Sequence, residues 1–322
     1  MYEFDLKDKR LLYELDCNSR QTMQQLAKKI GLSKDAVKYR MNKLINEGII
    51  KSFNAVIDTG KLGFLSFRLL LKFYHLSPAL EKEILDFLLK NKNLVWLVKV
   101  EGNWDVNTWF LYKSVEEMSL FWQELLRRYN NYIDKKEIGI YSNVTYFGRA
   151  YLLKNKYNSF SMPIVSLPKE IKLDKSKLMI VELLSKNARM SVVNIAKATG
   201  ITPKTIINKI KELEKDKIIV GYRTEFNLEK LGYKYYKLHI STFNISPEKN
   251  KQLKQYIKQN PYIIFEDTVL GGYDIEIEIQ IENEDNLRDL VEDLREKFSD
   301  IIKYYETLYY FKEYRLRFFP SL

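Results

Sequence analysis

Residues Gly31–Ile50 read GLSKDAVKYRMNKLINEGII. Gly31 can close a turn after a preceding helix. Ser33 is a good helix N-cap, because its hydroxyl accepts from a free backbone N–H of the first turn. Val37, Met41, Leu44 and Ile45 recur at helical spacing and predict one buried stripe. Lys34, Lys38, Tyr39, Asn42 and Lys43 fall on the remaining surface. Gly48 suits the left-handed position that ends a helix, and Ile49-Ile50 begin an extended segment. The stretch is predicted to be the turn and second helix of a helix-turn-helix.

The design occurs twice. Gly200–Ile219, GITPKTIINKIKELEKDKII, begins 169 residues after Gly31 and has Thr202 as N-cap with Pro203 at the first helical position. Lys217 stands where Gly48 stands in the first copy, so this helix end is expected to be shaped differently. The same shift recurs along most of the chain. Leu62-Gly63-Phe64 returns as Leu231-Gly232-Tyr233, Ser77-Pro78 as Ser246-Pro247, and Gly102 and Asp105 as Gly271 and Asp274.

Outward from the opening stretch, residues 7–17 and 22–30 predict two further short helices. Three helices with tight turns, the third basic, describe a helix-turn-helix domain. Ile50–Ile57 reads as a strand, so the domain is expected to be winged or to have a strand hinge. Beyond Gly63 the pattern changes to strand-helix-strand-strand-helix-strand, the ferredoxin-like arrangement with helices on one face of an antiparallel sheet. Ser114 with Glu117 is expected to form a capping box for its second helix. In Asp274–Ile281, DIEIEIQI, isoleucines alternate with Glu276, Glu278 and Gln280, so one buried and one wet face are expected. The fold class is therefore α+β, with two winged helix-turn-helix domains (1–58 and 173–227) alternating with two ferredoxin-like domains (59–153 and 228–322). The linker, 154–172, lacks periodicity.

Composition narrows the function. The 322 residues carry 53 basic and 42 acidic side chains, a net charge of +11, which favours a polyanionic partner. Lys28, Lys29, Lys34, Lys38, Arg40 and Lys43 cluster against the single acid Asp35, as phosphate contacts require. A solvated helix face would account for the charges alone. No run of about 18 apolar residues predicts a membrane span. MYEFDLKDKR has no apolar signal-peptide core, and Cys17 is the one cysteine, so a cytoplasmic protein is expected.

The form GLS…R…L…GII, a connecting strand, an L-G-aromatic entry and a G-x-x-D loop together resemble the Lrp/AsnC family of transcription regulators. The resemblance covers each half almost end to end. It implies double-stranded DNA as partner, ferredoxin-like domains that pair sheet to sheet, and an amino acid or other small effector bound near the loop after the second strand of each such domain. Ordinary members carry one copy per chain. Two copies here imply a homo-oligomer or an internal pseudo-dimer. The family's loop usually reads G-D-aromatic-D, whereas this chain has Gly102-Asn103-Trp104-Asp105 and Gly271-Gly272-Tyr273-Asp274, which departs at the first acid.

The DNA-binding candidates are Lys34, Lys38, Tyr39, Arg40 and Asn42 in the first recognition helix, and Lys204, Thr205, Asn208, Lys209 and Lys211 in the second. Lys and Arg reach phosphates or guanine edges, and Asn pairs with adenine. The effector candidates are Gly102, Asn103, Asp105, Gly271, Gly272 and Asp274. Plain hairpin-turn chemistry explains the same residue types. Enzyme chemistry finds little support: His75 and His239 sit on predicted strands, one cysteine and two histidines make no metal cluster, and no catalytic residue, metal or cofactor is expected. Acid pairs such as Glu266-Asp267 and Glu276/Glu278 are expected to face solvent. Two alternatives stand. Siroheme decarboxylases share the architecture, some as fused tandem copies. A partner-binding regulator that has lost DNA contact would instead modulate other family members by mixed assembly.

Overall fold

In a computed structural model of the protein, residues 2–154, 157–243 and 245–320 are described. The first module is α1 (Leu6–Cys17), α2 (Met23–Ile30), α3 (Lys34–Asn46) and the strand β1 (Ile50–Ile57). Each helix is capped by the residue its sequence offers. Asp5 closes a capping box with Asp8, Thr22 with Gln25, and Ser33 Oγ accepts from the Ala36 amide at 3.1 Å. Leu11, Leu12, Leu15, Leu26, Ile30, Val37 and Leu44 close the core. Ile45, expected in that stripe, is instead exposed.

A ferredoxin-like unit follows: β2 (Leu65–Phe73), α4 (Pro78–Lys90), β3 (Leu94–Glu101), β4 (Val106–Tyr112), α5 (Val115–Tyr129) and β5 (Ile133–Phe147). The linker holds a strand that periodicity does not reveal, β6 (Ser161–Val165), which pairs on β5. Pro163 in its middle is tolerated because β6 lies at a sheet edge. The second copy repeats the plan as α6 (Lys175–Lys186), α7 (Val192–Thr199), α8 (Pro203–Lys215), β7 (Ile219–Phe226), the single turn α9 (Leu228–Leu231), β8 (Lys234–Thr242), α10 (Pro247–Gln259), β9 (Ile263–Leu270), β10 (Ile275–Ile281), α11 (Glu284–Phe298) and β11 (Ile302–Leu316).

The two copies are joined at two levels. At the first, β1 and β7 pair antiparallel with Asn54 opposite Arg223, its own counterpart 169 residues on, so a pseudo-twofold axis passes between them. At the second, β5 and β11 are long enough to serve both sheets. The start of β5 pairs with β2 and its end with β9, while β11 pairs first with β8 and then with β3. The order β2-β4-β3-β11-β8-β10-β9-β5 therefore returns to β2 and closes a barrel. α4 and α5 cover one outer face and α10 and α11 the other, through separate apolar clusters.

Closure reverses one expectation from the sequence. The polar face of β10 is not wet, because it lines the barrel. Glu276 is fully buried, and Glu278 and Asp267 nearly so. These charges are paired. Arg68 bonds Glu276 and Glu137, and Lys237 bonds Asp267 and lies 3.0 Å from Glu276. Burial alone would raise Glu276, but Lys237, His239 and Arg68 around it hold it well below the usual carboxylate range. Of the flanking pair, Glu266 is half-buried. His239 does lie on a strand, buried on β8, whereas His75 lies in an exposed bend after β2.

Candidate nucleic-acid interface

Each recognition helix presents one face inward and one outward. In α3, Val37, Met41 and Leu44 are buried while Lys34, Lys38, Tyr39 and Asn42 are exposed. In α8, Ile206, Ile210 and Leu213 are buried while Lys204, Thr205, Asn208 and Lys211 are exposed. Lys34, Lys38, Lys204 and Lys211 make no ion pair with any described residue. Tyr39, 69% exposed, is a large aromatic side chain held out on the surface.

Two candidates are placed otherwise. Arg40 turns back to α1, where its guanidinium lies 2.7 Å from both Asp5 and Asp8. Lys209, its counterpart, lies 2.8 Å from Asp174, the N-cap of α6. Lys209 lowers the Asp174 carboxyl below its usual range. Both cations clamp the recognition helix to the N-terminus of the first helix of its own module, and neither projects with the outward face. The reason is geometric: positions 40 and 209 sit at the seam between the apolar stripe and the exposed surface.

The helix ends are held from the other copy. Lys61 Nζ donates to the Asp216 carbonyl at 2.7 Å, and its counterpart Lys230 donates to the Glu47 carbonyl at 2.6 Å. Each lysine thus caps the C-terminus of the opposite recognition helix, where the helix dipole favours a cation. Arg20 donates to the Ala188 carbonyl, and its counterpart Arg189 to the Gln21 carbonyl at 3.0 Å. With β1–β7 pairing, these reciprocal contacts fix the two modules relative to each other. Lys217, which was expected to reshape the end of α8, adopts φ 56, close to the φ 66 of Gly48. The helix ends therefore share one shape, and lysine carries the strain of a left-handed backbone.

The loop candidates are occupied by packing. Asp105 accepts from the Phe73 amide and the Lys72 ammonium, both at 2.8 Å. Asp274 accepts from the Thr242 amide at 2.7 Å. Both aspartates tie a hairpin to the end of the first strand of its sheet. A Cβ on Gly102 would lie 2.9 Å from Leu308, and one on Gly272 2.7 Å from Arg68. Asn103 contributes a hydrogen bond to Glu306 across the two units, and Gly271 turns with φ 81.

Comparison with known proteins fits this frame. Residues 4–51 and 173–220 each match the winged helix-turn-helix DNA-binding model. An uncharacterized HTH-type transcriptional regulator of Pyrococcus horikoshii is 34% identical over 131 residues, which is 40% of this chain and 84% of that protein. This chain belongs to the Lrp/AsnC family of transcription regulators. LrpA of Pyrococcus horikoshii is 33% identical over 91 residues, 28% of this chain and 63% of LrpA. The regulators thus match stretches of up to about the length of one half, and the Lrp/AsnC plan is duplicated in tandem here. The backbone of the whole chain resembles the siroheme decarboxylase NirDL, with a TM-score of 0.63 at 10% identity over 96% of this chain and 92% of that one. That likeness is one of fold.

Sequence reasoning missed Arg68, Lys237 and Arg223, buried cations that organise the interior. A signal was present: Arg68 interrupts the long apolar run of β2 and falls in alternation with the barrel-facing Ser66 and Leu70. Among the described residues no helix is long and apolar enough to cross a membrane.

Proposed function

We propose that the chain binds double-stranded DNA through α3 and α8 together and regulates transcription in the cytoplasm as a built-in dimer. One observation carries this reading. Both recognition helices hold lysines and an asparagine outward, unpaired with any described residue, on modules whose mutual position is fixed by reciprocal contacts. In the mechanism, each recognition helix enters a major groove, its exposed lysines neutralise phosphates, and Asn42 and Asn208 read base edges. Arg40 and Lys209 keep each helix seated in its module. The faces differ in sequence, so the two half-sites are expected to differ. Nuclease footprinting on the region upstream of its own gene tests this. Two protected patches about one helical turn apart, lost in Lys38→Ala/Lys204→Ala, support it, and uniform unprotected cleavage contradicts it.

A second reading, a siroheme decarboxylase, is favoured by the likeness to NirDL, which runs through both halves at once. Optical titration with an iron-uroporphyrin III analogue separates the two. A saturable shift of the porphyrin band supports the enzyme, and an unshifted band contradicts it.

A further inference from the structure

A cavity of about 510 Å³ opens between β7 and the barrel, lined by Trp96, Trp109, Tyr141, Arg223, Phe265 and Tyr310 among others. Its size suits a small organic ligand. Most charges on its wall are neutralised internally. Arg149 bonds Asp16, Lys51 lies 3.4 Å from Glu225, and Asp267 bonds Lys237. Arg223 is different. It is only 5% exposed and its Nε has no partner, nor does the side chain hydrogen-bond or ion-pair with any described residue. Its guanidinium lies 3.3 Å from the ring centroid of Tyr146, with Phe265 at 5.1 Å. Stacking holds it in place but does not neutralise it, and an uncompensated buried charge is costly.

The pseudo-twofold axis sharpens the point. The counterpart of Arg223 is Asn54, which is satisfied by the Ser185 carbonyl at 2.9 Å. The second copy therefore carries a cation where the first carries a neutral, bonded amide. A further buried donor with no partner among the described residues, the Trp109 indole N–H, stands on the same wall. A buried cation with no acid partner among the described residues, set among aromatic walls, matches one negative charge on an aromatic body. A multiply charged anion such as phosphate would need further cations, and Arg149 and Lys51 on this wall are already paired with acids.

We propose that this cavity binds an aromatic monocarboxylate, its carboxylate held by the Arg223 guanidinium and its ring packed against the aromatic wall. A guanidinium offers a planar pair of donors that fits a carboxylate. Arg223 lies on β7, which follows α8 directly and pairs with β1, so an occupied cavity acts on the strands that set the spacing of the recognition helices. That coupling rests on the DNA-binding reading. The binding itself does not, and it is measured without DNA.

The test is calorimetric titration of the full chain with 2-naphthoate, its neutral twin 2-naphthamide, and inorganic phosphate. The proposal predicts saturable naphthoate binding, at least about tenfold weaker amide binding, and no phosphate binding. Arg223→Asn, which copies Asn54, should lower naphthoate affinity about tenfold or more and leave the amide unchanged, with thermal melting to show that it is folded. Should that variant not fold, Arg223→Lys keeps the charge without the fork and should weaken naphthoate several-fold. Equal binding of naphthoate and amide, naphthoate affinity unchanged in the folded variant, phosphate binding, or no naphthoate binding at millimolar concentration would each overturn the proposal.

Discussion

Arg40 and Lys38 are two residues apart on one helix and do different work. Arg40 is held by Asp5 and Asp8, whereas Lys38 is exposed with no ion pair to a described residue. Arg40→Ala should lower the unfolding free energy by about 1–2 kcal/mol in urea, since it removes charge-assisted bonds to a buried acid. Lys38→Ala should leave stability unchanged within about 0.5 kcal/mol. A second residue-scale expectation concerns pH. Burial pushes Glu278 up to about 7 from an ordinary 4.5, against the opposing pull of Lys237. Between those values the native state holds a proton that the unfolded chain has released. The stability it contributes is full below the ordinary value and is lost as pH rises through about 7. Glu278→Gln should flatten the decline in urea midpoint between about pH 5 and 7; an unaltered profile would place the titration elsewhere.

At the scale of elements, the ends of α3 and α8 form a matched pair with unmatched residues. Gly48 accepts a left-handed backbone without cost, while Lys217 holds φ 56 against the crowding of its Cβ. Lys217→Gly should therefore raise stability by about 1 kcal/mol by thermal or urea unfolding, and a destabilised variant would contradict it. Short elements with caps were legible in the sequence for this reason: Ser33, Thr202, Ser77 and Ser114 each accept from the backbone amide three residues on. The strand β6 was not legible. Its five residues include a proline, and what makes it a strand is the free edge of β5. The polar face of β10 was misleading because alternation reports two unlike faces and not what covers each. Glu276 and Glu278 look like solvent-facing residues until Arg68 and Lys237 arrive from the other strands of the barrel.

At the scale of the molecule, the tandem repeat folds as its own dimer. β5 and β11 each span two sheets, so neither half owns a closed barrel. Residues 1–153 alone would expose the pairing edges of β3 and β5, and open edges seek partners. That fragment should form a symmetric homodimer by light scattering after size-exclusion chromatography, and a stable monomer would contradict the shared-barrel account. The repeat and the fold class could be read from the constant 169-residue shift. The pseudo-twofold axis through Asn54 and Arg223 could not, since it depends on strand register. That axis fixes both recognition helices in one rigid frame, so the central claim is that they engage DNA together. It is tested most directly by fluorescence anisotropy of the full chain on the DNA upstream of its own gene, with unrelated competitor DNA across a salt series. The account predicts a competitor-resistant complex whose log affinity falls steeply with log salt, with Lys38→Ala or Lys204→Ala each lessening the slope by about 1. Absence of binding at low salt, or a slope unchanged in both variants, would contradict it.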